Sequence, residues 1–214
     1  EIHWRDWSSD VCSSDLLELE QAYFGAAKGV APEVAFDAAV QLCYVVGTRS
    51  ARRDDGLRWV RFADIALNDV IDADRLGEAA VLHCLAAIHI TAEQHGEARD
   101  PLERALVLWE EALGPEHPKV AMSLSNLAIV QAEGGDLEGA KVTLERALAI
   151  REKALGPGHP DVASNLRNLA LIHEKMGHDG EEKTLLERAL AIREKALGPD
   201  HPKVVELRRE LAGK

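Results

Sequence analysis

Three histidines, His117, His159 and His201, recur at an interval of 42 residues, and each is followed by proline. Imidazoles ligate metals and carry protons near neutral pH, so such a series invites a metal-binding reading. The interval argues against it. Ligands of one ion all lie about 2 Å from it, whereas equivalent corners of successive helical repeats stand about 10 Å apart, a helix-packing distance. The prolines point to turns instead, because a residue before proline is pushed towards extended backbone and proline suits the first helical turn. His83, His89 and His95 are each six apart, which rotates them around a helix. They are read as solvent or packing histidines.

Glutamate and arginine pairs repeat as well, at Glu103-Arg104, Glu145-Arg146 and Glu187-Arg188. Paired charges can do acid–base work, but neighbours on a helix are expected on solvated faces that carry weak intrahelical ion pairs. Residues 17–214 contain no glycine-rich phosphate loop, nucleophile elbow, HExxH or kinase catalytic-loop pattern. Cys12, Cys43 and Cys84 lie far apart without CxxC or Cys/His ligand spacing, so buried free thiols are expected rather than a disulfide framework or a zinc site. The chain is therefore expected to hold no catalytic residue, no metal and no cofactor, and not to be an enzyme.

The elements that would position these residues are helical. Hydrophobic residues make up 46% of the 214-residue chain and aromatic residues only 4%, and Ala, Leu, Glu and Arg dominate the C-terminal half. That length accommodates one ordinary domain or four to five stacked hairpins of about 40 residues. The net charge of -12 disfavours nucleic acid and anionic membrane surfaces as partners, since both need a clustered basic face. No run approaches the roughly 18 apolar residues of a membrane-spanning helix, and no signal-peptide pattern opens the chain, so a soluble cytoplasmic protein is expected.

Residues 1–16 read differently from the rest, with two of the four tryptophans and a doubled Ser-Ser-Asp element. Residues 6–16, DWSSDVCSSDL, resemble a translated sequencing-library adapter; the alternative is a disordered acidic leader. Without residues 1–16 the chain keeps 33 acidic against 24 basic residues, a net charge of -9, so the acidic character stands. The adapter reading further implies a gene that continues upstream.

Aligned on itself at 42 residues, the chain brings Gly114, Gly156 and Gly198 into register with the three histidines, and residues 144–157 are identical to 186–199. Each period holds two helix patterns. The first is expected over 118–133, with Val120, Leu124, Leu127 and Ala128 on one face, and the second over 137–155, with Leu137, Ala140, Leu144, Ala147 and Leu148. Gly134-Gly135-Asp136 supplies a helix stop and an N-cap between them. Gly156 is expected in the left-handed conformation past the second helix, and Pro157 prevents its continuation.

These residues resemble the tetratricopeptide repeats, in the 42-residue variety found in kinesin light chains and many bacterial regulatory proteins. The motif falls on Leu127, Ala128, Gln131, Ala140, Leu144 and Ala147, then on Leu169, Ala170, His173, Glu182, Leu186 and Ala189, and earlier on Leu85, Ala86, His89, Ala98, Leu102 and Ala105. His or Gln replaces the family's aromatic residue, and Glu182 replaces an alanine, so looser packing is expected there. The resemblance implies an all-α fold, a right-handed superhelical solenoid of antiparallel helical hairpins. Its repeats would occupy residues 71–113, 114–155 and 156–197, and a polar capping helix residues 198–214, where Arg208 replaces Leu124 and Leu166. Residues 17–70 would hold N-terminal helices and one divergent hairpin, with helices near 34–46 and 57–67 and a breaker over 49–56. Within it, residues 44–47 and 54–59 resemble repeat regions that follow the kinase domain of certain bacterial serine/threonine kinases.

For function, the resemblance implies a scaffold or adaptor that binds a protein or peptide on a concave surface lined by the first helix of each repeat. Carried over residue by residue, the binding positions are His83, Ser125 and Arg167, with Asn126 and Asn168 beside them and Ile129 and Leu171 as apolar floor. Asparagine can donate to and accept from an extended backbone, and arginine can grip a carboxylate. Two other functions remain open at this point: the regulatory tail of a serine/threonine kinase, and a module that self-associates through its ends.

Overall fold

The computed structural model describes residues 13–27, 31–49, 52–69 and 75–213, and all regular structure in them is helical. They divide into two compact units, Glu1–Pro101 and Leu102–Lys214.

In the first unit, α1 (Ser13–Ala26) and α2 (Pro32–Tyr44) precede a π-helical turn (Val45–Arg49), α3 (Arg53–Asp69) and α4 (Arg75–Thr91). Most of the adapter-like run lies outside the described residues, but residues 13–16 open α1, which therefore begins inside the expected leader. The breaker expected over 49–56 is also shorter than that, since α3 starts at Arg53 and takes in Asp54, Asp55 and Gly56. Two acidic residues in the first turn favour that start through the helix dipole. Gly56 is tolerated there because it meets the backbone of Gly47 and the side chain of Ile88, where a Cβ would collide. Around this contact the core gathers Leu42, Cys43, Val46, Ala63, Cys84 and Ile88. Beside them Tyr23, Phe24, Trp59 and Phe62 form an aromatic cluster, with Tyr23 edge-on to Trp59 at 5.2 Å. Cys43 and Cys84 are buried free thiols, and hydrogen bonding with Cys84 together with burial pushes the Cys43 thiol up from its ordinary value.

α5 (His95–Leu113) carries the division between the units. The second unit then stacks α6 (Pro118–Glu133) on α7 (Leu137–Leu155), α8 (Pro160–Met176) on α9 (Asp179–Leu197), and α10 (Pro202–Ala212) on α9. α6 and α7 have the bounds that apolar spacing predicts. Ala128, Ala140, Ala147, Ala170 and Ala189 are fully buried where the helices of a pair approach, and Leu144, Leu166, Leu186 and Leu207 fill the space between. Glu182, at an alanine position of the motif, is buried too.

The turns explain the recurring histidines. His117, His159 and His201 adopt extended backbone before their prolines and are the N-caps of α6, α8 and α10. Each Nδ1 accepts the backbone N–H two residues on, from Lys119, Asp161 and Lys203, at 3.2 Å. An imidazole thus does the capping usually left to Ser or Asp, satisfying a donor that the helix start leaves open. Gly156 and Gly198 have the expected positive φ, 86° and 85°, but ψ near 154° and 159° places them in the extended mirror region rather than the left-handed helical one. That geometry lets the chain leave the helix straight towards the next cap. Gly177, at φ 77° and ψ 27°, is the left-handed helical cap, closing α8. Asp136 caps α7 by accepting Gly139 N–H at 2.9 Å.

Candidate functional site

Repetition at 42 residues places the candidate positions on α6 and α8 in equivalent rows: Ser125, Asn126 and Ile129 on one helix, Arg167, Asn168 and Leu171 on the next. Residues three and four apart share a helix face, so each row presents an amide beside an apolar side chain. Asn126, Ile129, Arg167 and Asn168 are half-buried and Leu171 is 37% exposed. The two rows belong to neighbouring helices. Lys175 of α8 bonds Glu133 of α6 at 2.7 Å at one end of the face, and Ser125 donates to Asn165 of α8 at 3.0 Å.

Not every expected contact residue is presented. His83 lies in the first unit on α4 and is 3% exposed, because its place on that helix turns it into the packing. Ser125 is 6% exposed and is consumed internally, donating to Ala121 O at 2.8 Å as well as to Asn165. Asn165 was not among the sequence candidates, yet it is the polar centre of the helix contact. Its Oδ1 accepts from Ser125 and, at 2.5 Å, from Arg151 of α7, which also donates to Asp161 O at 3.1 Å. The only signal for it in the sequence was a polar residue where Leu207 stands one repeat later.

Arg167 is also engaged. Its Nε donates to Glu210 at 2.9 Å and its Nη2 to Glu206 at 3.0 Å, both on α10. Arg193 lies buried close by; burial and the neighbouring Arg167 lower its pKa, while Glu206 and Glu210 oppose that.

The glutamate–arginine pairs are resolved differently from the expectation of intrahelical pairing. Arg146 of α7 bonds Glu110 of α5 at 2.6 Å, and Arg188 of α9 bonds Glu152 of α7. Arg208 of α10 then takes Glu194 of α9 at 2.6 Å. The pairs form a ladder from α5 to α7 to α9, the second helices of successive repeats, and on to α10, because the side chains of a stacked repeat reach across the stack. Exposed pairs of this kind contribute about 0.2–1 kcal/mol each, so the ladder sets register more than stability. Among the described residues no cluster of His, Cys, Asp and Glu is arranged to hold a metal, and no helix is long and apolar enough to cross a membrane.

The comparisons with known proteins concern the same residues. The family model described as Tetratricopeptide repeat matches residues 77–153 and 135–195. Among solved structures, BtubC (BKLC) from P. vanneervenii is similar with a TM-score of 0.68 at 22% identity, over 88% of this chain and 75% of that one. The nearly identical TPR-like repeats of a kinesin light chain from Podosopora anserina are similar with a TM-score of 0.64 at 24% identity, over 83% of each chain. No curated protein sequence matches. At these identities the structural likeness is one of fold: a solenoid of helical hairpins.

Proposed function

The chain belongs to the tetratricopeptide repeat family, and from that premise we propose that its second unit is a scaffold surface that binds an extended peptide or protein segment across α6 and α8. The observation that supports this is the pair of equivalent rows, Asn126 with Ile129 and Asn168 with Leu171, on neighbouring helices. An amide offers two donors and two acceptor lone pairs, so each asparagine can serve a peptide backbone. Ile129 and Leu171 give an apolar floor for the side chains between.

The test is a photo-crosslinking residue at Leu171, with another at Val142, which is 63% exposed on the second-helix side. Capture at Leu171 and not at Val142 identifies the segment. Titration calorimetry then compares the original chain with Asn168→Ala/Leu171→Asp. The expected result is a loss of at least about tenfold in affinity, equivalent to about 1.4 kcal/mol; equal affinities overturn the proposal.

A further inference from the structure

Side chains of α1 and α3 line a cleft of about 230 Å³ in the first unit. Each helix contributes once per turn, as residues three and four apart share a face. The later turns supply rings: Phe24 from α1, Trp59 and Phe62 from α3. Phe24 and Trp59 have centroids 6.2 Å apart, and Trp59 and Phe62 5.3 Å. Phe24 is 54% exposed, a large apolar ring left uncovered beside the cleft.

The earlier turns supply charge, two groups of each sign, and these are unequally spent. Arg52 places Nε and Nη2 on one oxygen of Asp55, at 2.9 and 2.6 Å, so the two neutralise each other. Arg58 reaches the other oxygen only at 3.6 Å, and its side chain is 70% exposed. Most of its five N–H donors are therefore open. Glu20 of α1 is half-buried and enters no ion pair among the described residues. What remains is one open carboxylate on α1 and one open guanidinium on α3, beside an aromatic wall.

The charged part of the cleft is held by backbone. Gly47 of the π-helical turn and Gly56 of α3 approach so closely that a Cβ on either would collide, and Arg52 N–H donates to Val46 O at 3.2 Å. Val46, from the same turn, also lines the cleft. Short π-helical turns are rare, and where they occur they frequently adjoin functional sites.

We propose that this cleft binds a small aromatic zwitterion, of the chemical class of a free aromatic amino acid. Its ring lies on Phe24, Trp59 and Phe62, its ammonium on Glu20 and its carboxylate on Arg58. The volume sets the size, since drug-sized ligands take roughly 300–1,000 Å³. Rings associate edge-on or offset with centroids about 4.5–7 Å apart, the spacing this wall already shows among its own members. A zwitterion matches a lining of zero net charge, whereas a cation or an anion of the same size leaves Glu20 or Arg58 unanswered. Exposed ion pairs are individually weak, so the rings supply the affinity and the two charges the choice of ligand. The site lies within the first unit and is independent of the α6–α8 surface.

The probes are L-phenylalanine, phenethylamine, which keeps only the ammonium, and 3-phenylpropionate, which keeps only the carboxylate. Each is titrated into the full chain while the indole N–H signal of Trp59, assigned with Trp59→Phe, is followed by NMR. The expected result is a saturable shift with L-phenylalanine, binding about fivefold more tightly than either half-ligand. Glu20→Gln should weaken L-phenylalanine and phenethylamine about fivefold and leave 3-phenylpropionate unchanged; Arg58→Gln should do the converse, sparing phenethylamine. No saturable shift up to about 10 mM, a half-ligand that binds as tightly as L-phenylalanine, or affinities indifferent to both substitutions overturns the inference. Should a variant lose its helical circular dichroism, the ranking of the three probes on the original chain decides alone.

Discussion

Arg167 and Glu210, 43 residues apart in the chain, meet with Nε 2.9 Å from a carboxylate oxygen, and the guanidinium is thereby held to the last described helix. The contact joins a helix inside the repeat to one that lacks a following partner helix among the described residues. The Glu210 side chain is 18% exposed and that of Arg167 31%, so solvent screens the pair only in part. A double-mutant cycle of Arg167→Ala and Glu210→Ala, read by urea denaturation, should return a coupling of about 1 kcal/mol, at the upper end for exposed pairs. Additive effects of the two changes would show that the contact is electrostatically idle.

Gly156→Ala should destabilise the chain by about 1–3 kcal/mol, the cost of a non-glycine residue held in the mirror-extended region. Gly158, two residues on, takes no positive φ and meets nothing within 4 Å where a Cβ would lie. Gly158→Ala should therefore stay within about 0.5 kcal/mol. Thermal melts of the two variants side by side check this, and equal losses would contradict the backbone argument.

Burial, and secondarily the charge of Lys119, lower the pKa of His117, and its neutral Nδ1 is also needed to accept the Lys119 N–H. The unfolded chain then binds the proton more readily than the folded one. The stability linked to His117 is accordingly present above the ordinary histidine value of about 6.5 and lost as pH falls through the lowered folded value. Titration of the imidazole by NMR should give a midpoint below 6.5, and His117→Asn, which keeps a capping side chain, should remove that part of the acid sensitivity. A midpoint at or above 6.5 would contradict it.

What the sequence determined by itself is local and periodic. The bounds of α6 and α7, the Asp136 cap, the positive φ of Gly156 and Gly198 and the extended backbone of the three histidines follow from residues within a few positions of one another, where sterics and unsatisfied amides decide. The repeat interval added which helices are equivalent. The Nδ1 caps were within reach of the same reasoning, since a histidine before a helix start has an acceptor at the right distance.

The tertiary structure alone decided which polar side chains are presented and which are consumed. His83 and Ser125 are buried, Asn165 joins three helices, and Arg146 and Arg188 pair between helices rather than along them. Each outcome depends on where a side chain of one helix meets another, 14 to 43 residues away for the ladder and for Arg167. Helical period specifies a face but not what lies opposite it. Arg167 is the clearest case: its residue type foretold a carboxylate, and only the packing of α10 showed that the chain supplies that carboxylate from Glu206 and Glu210.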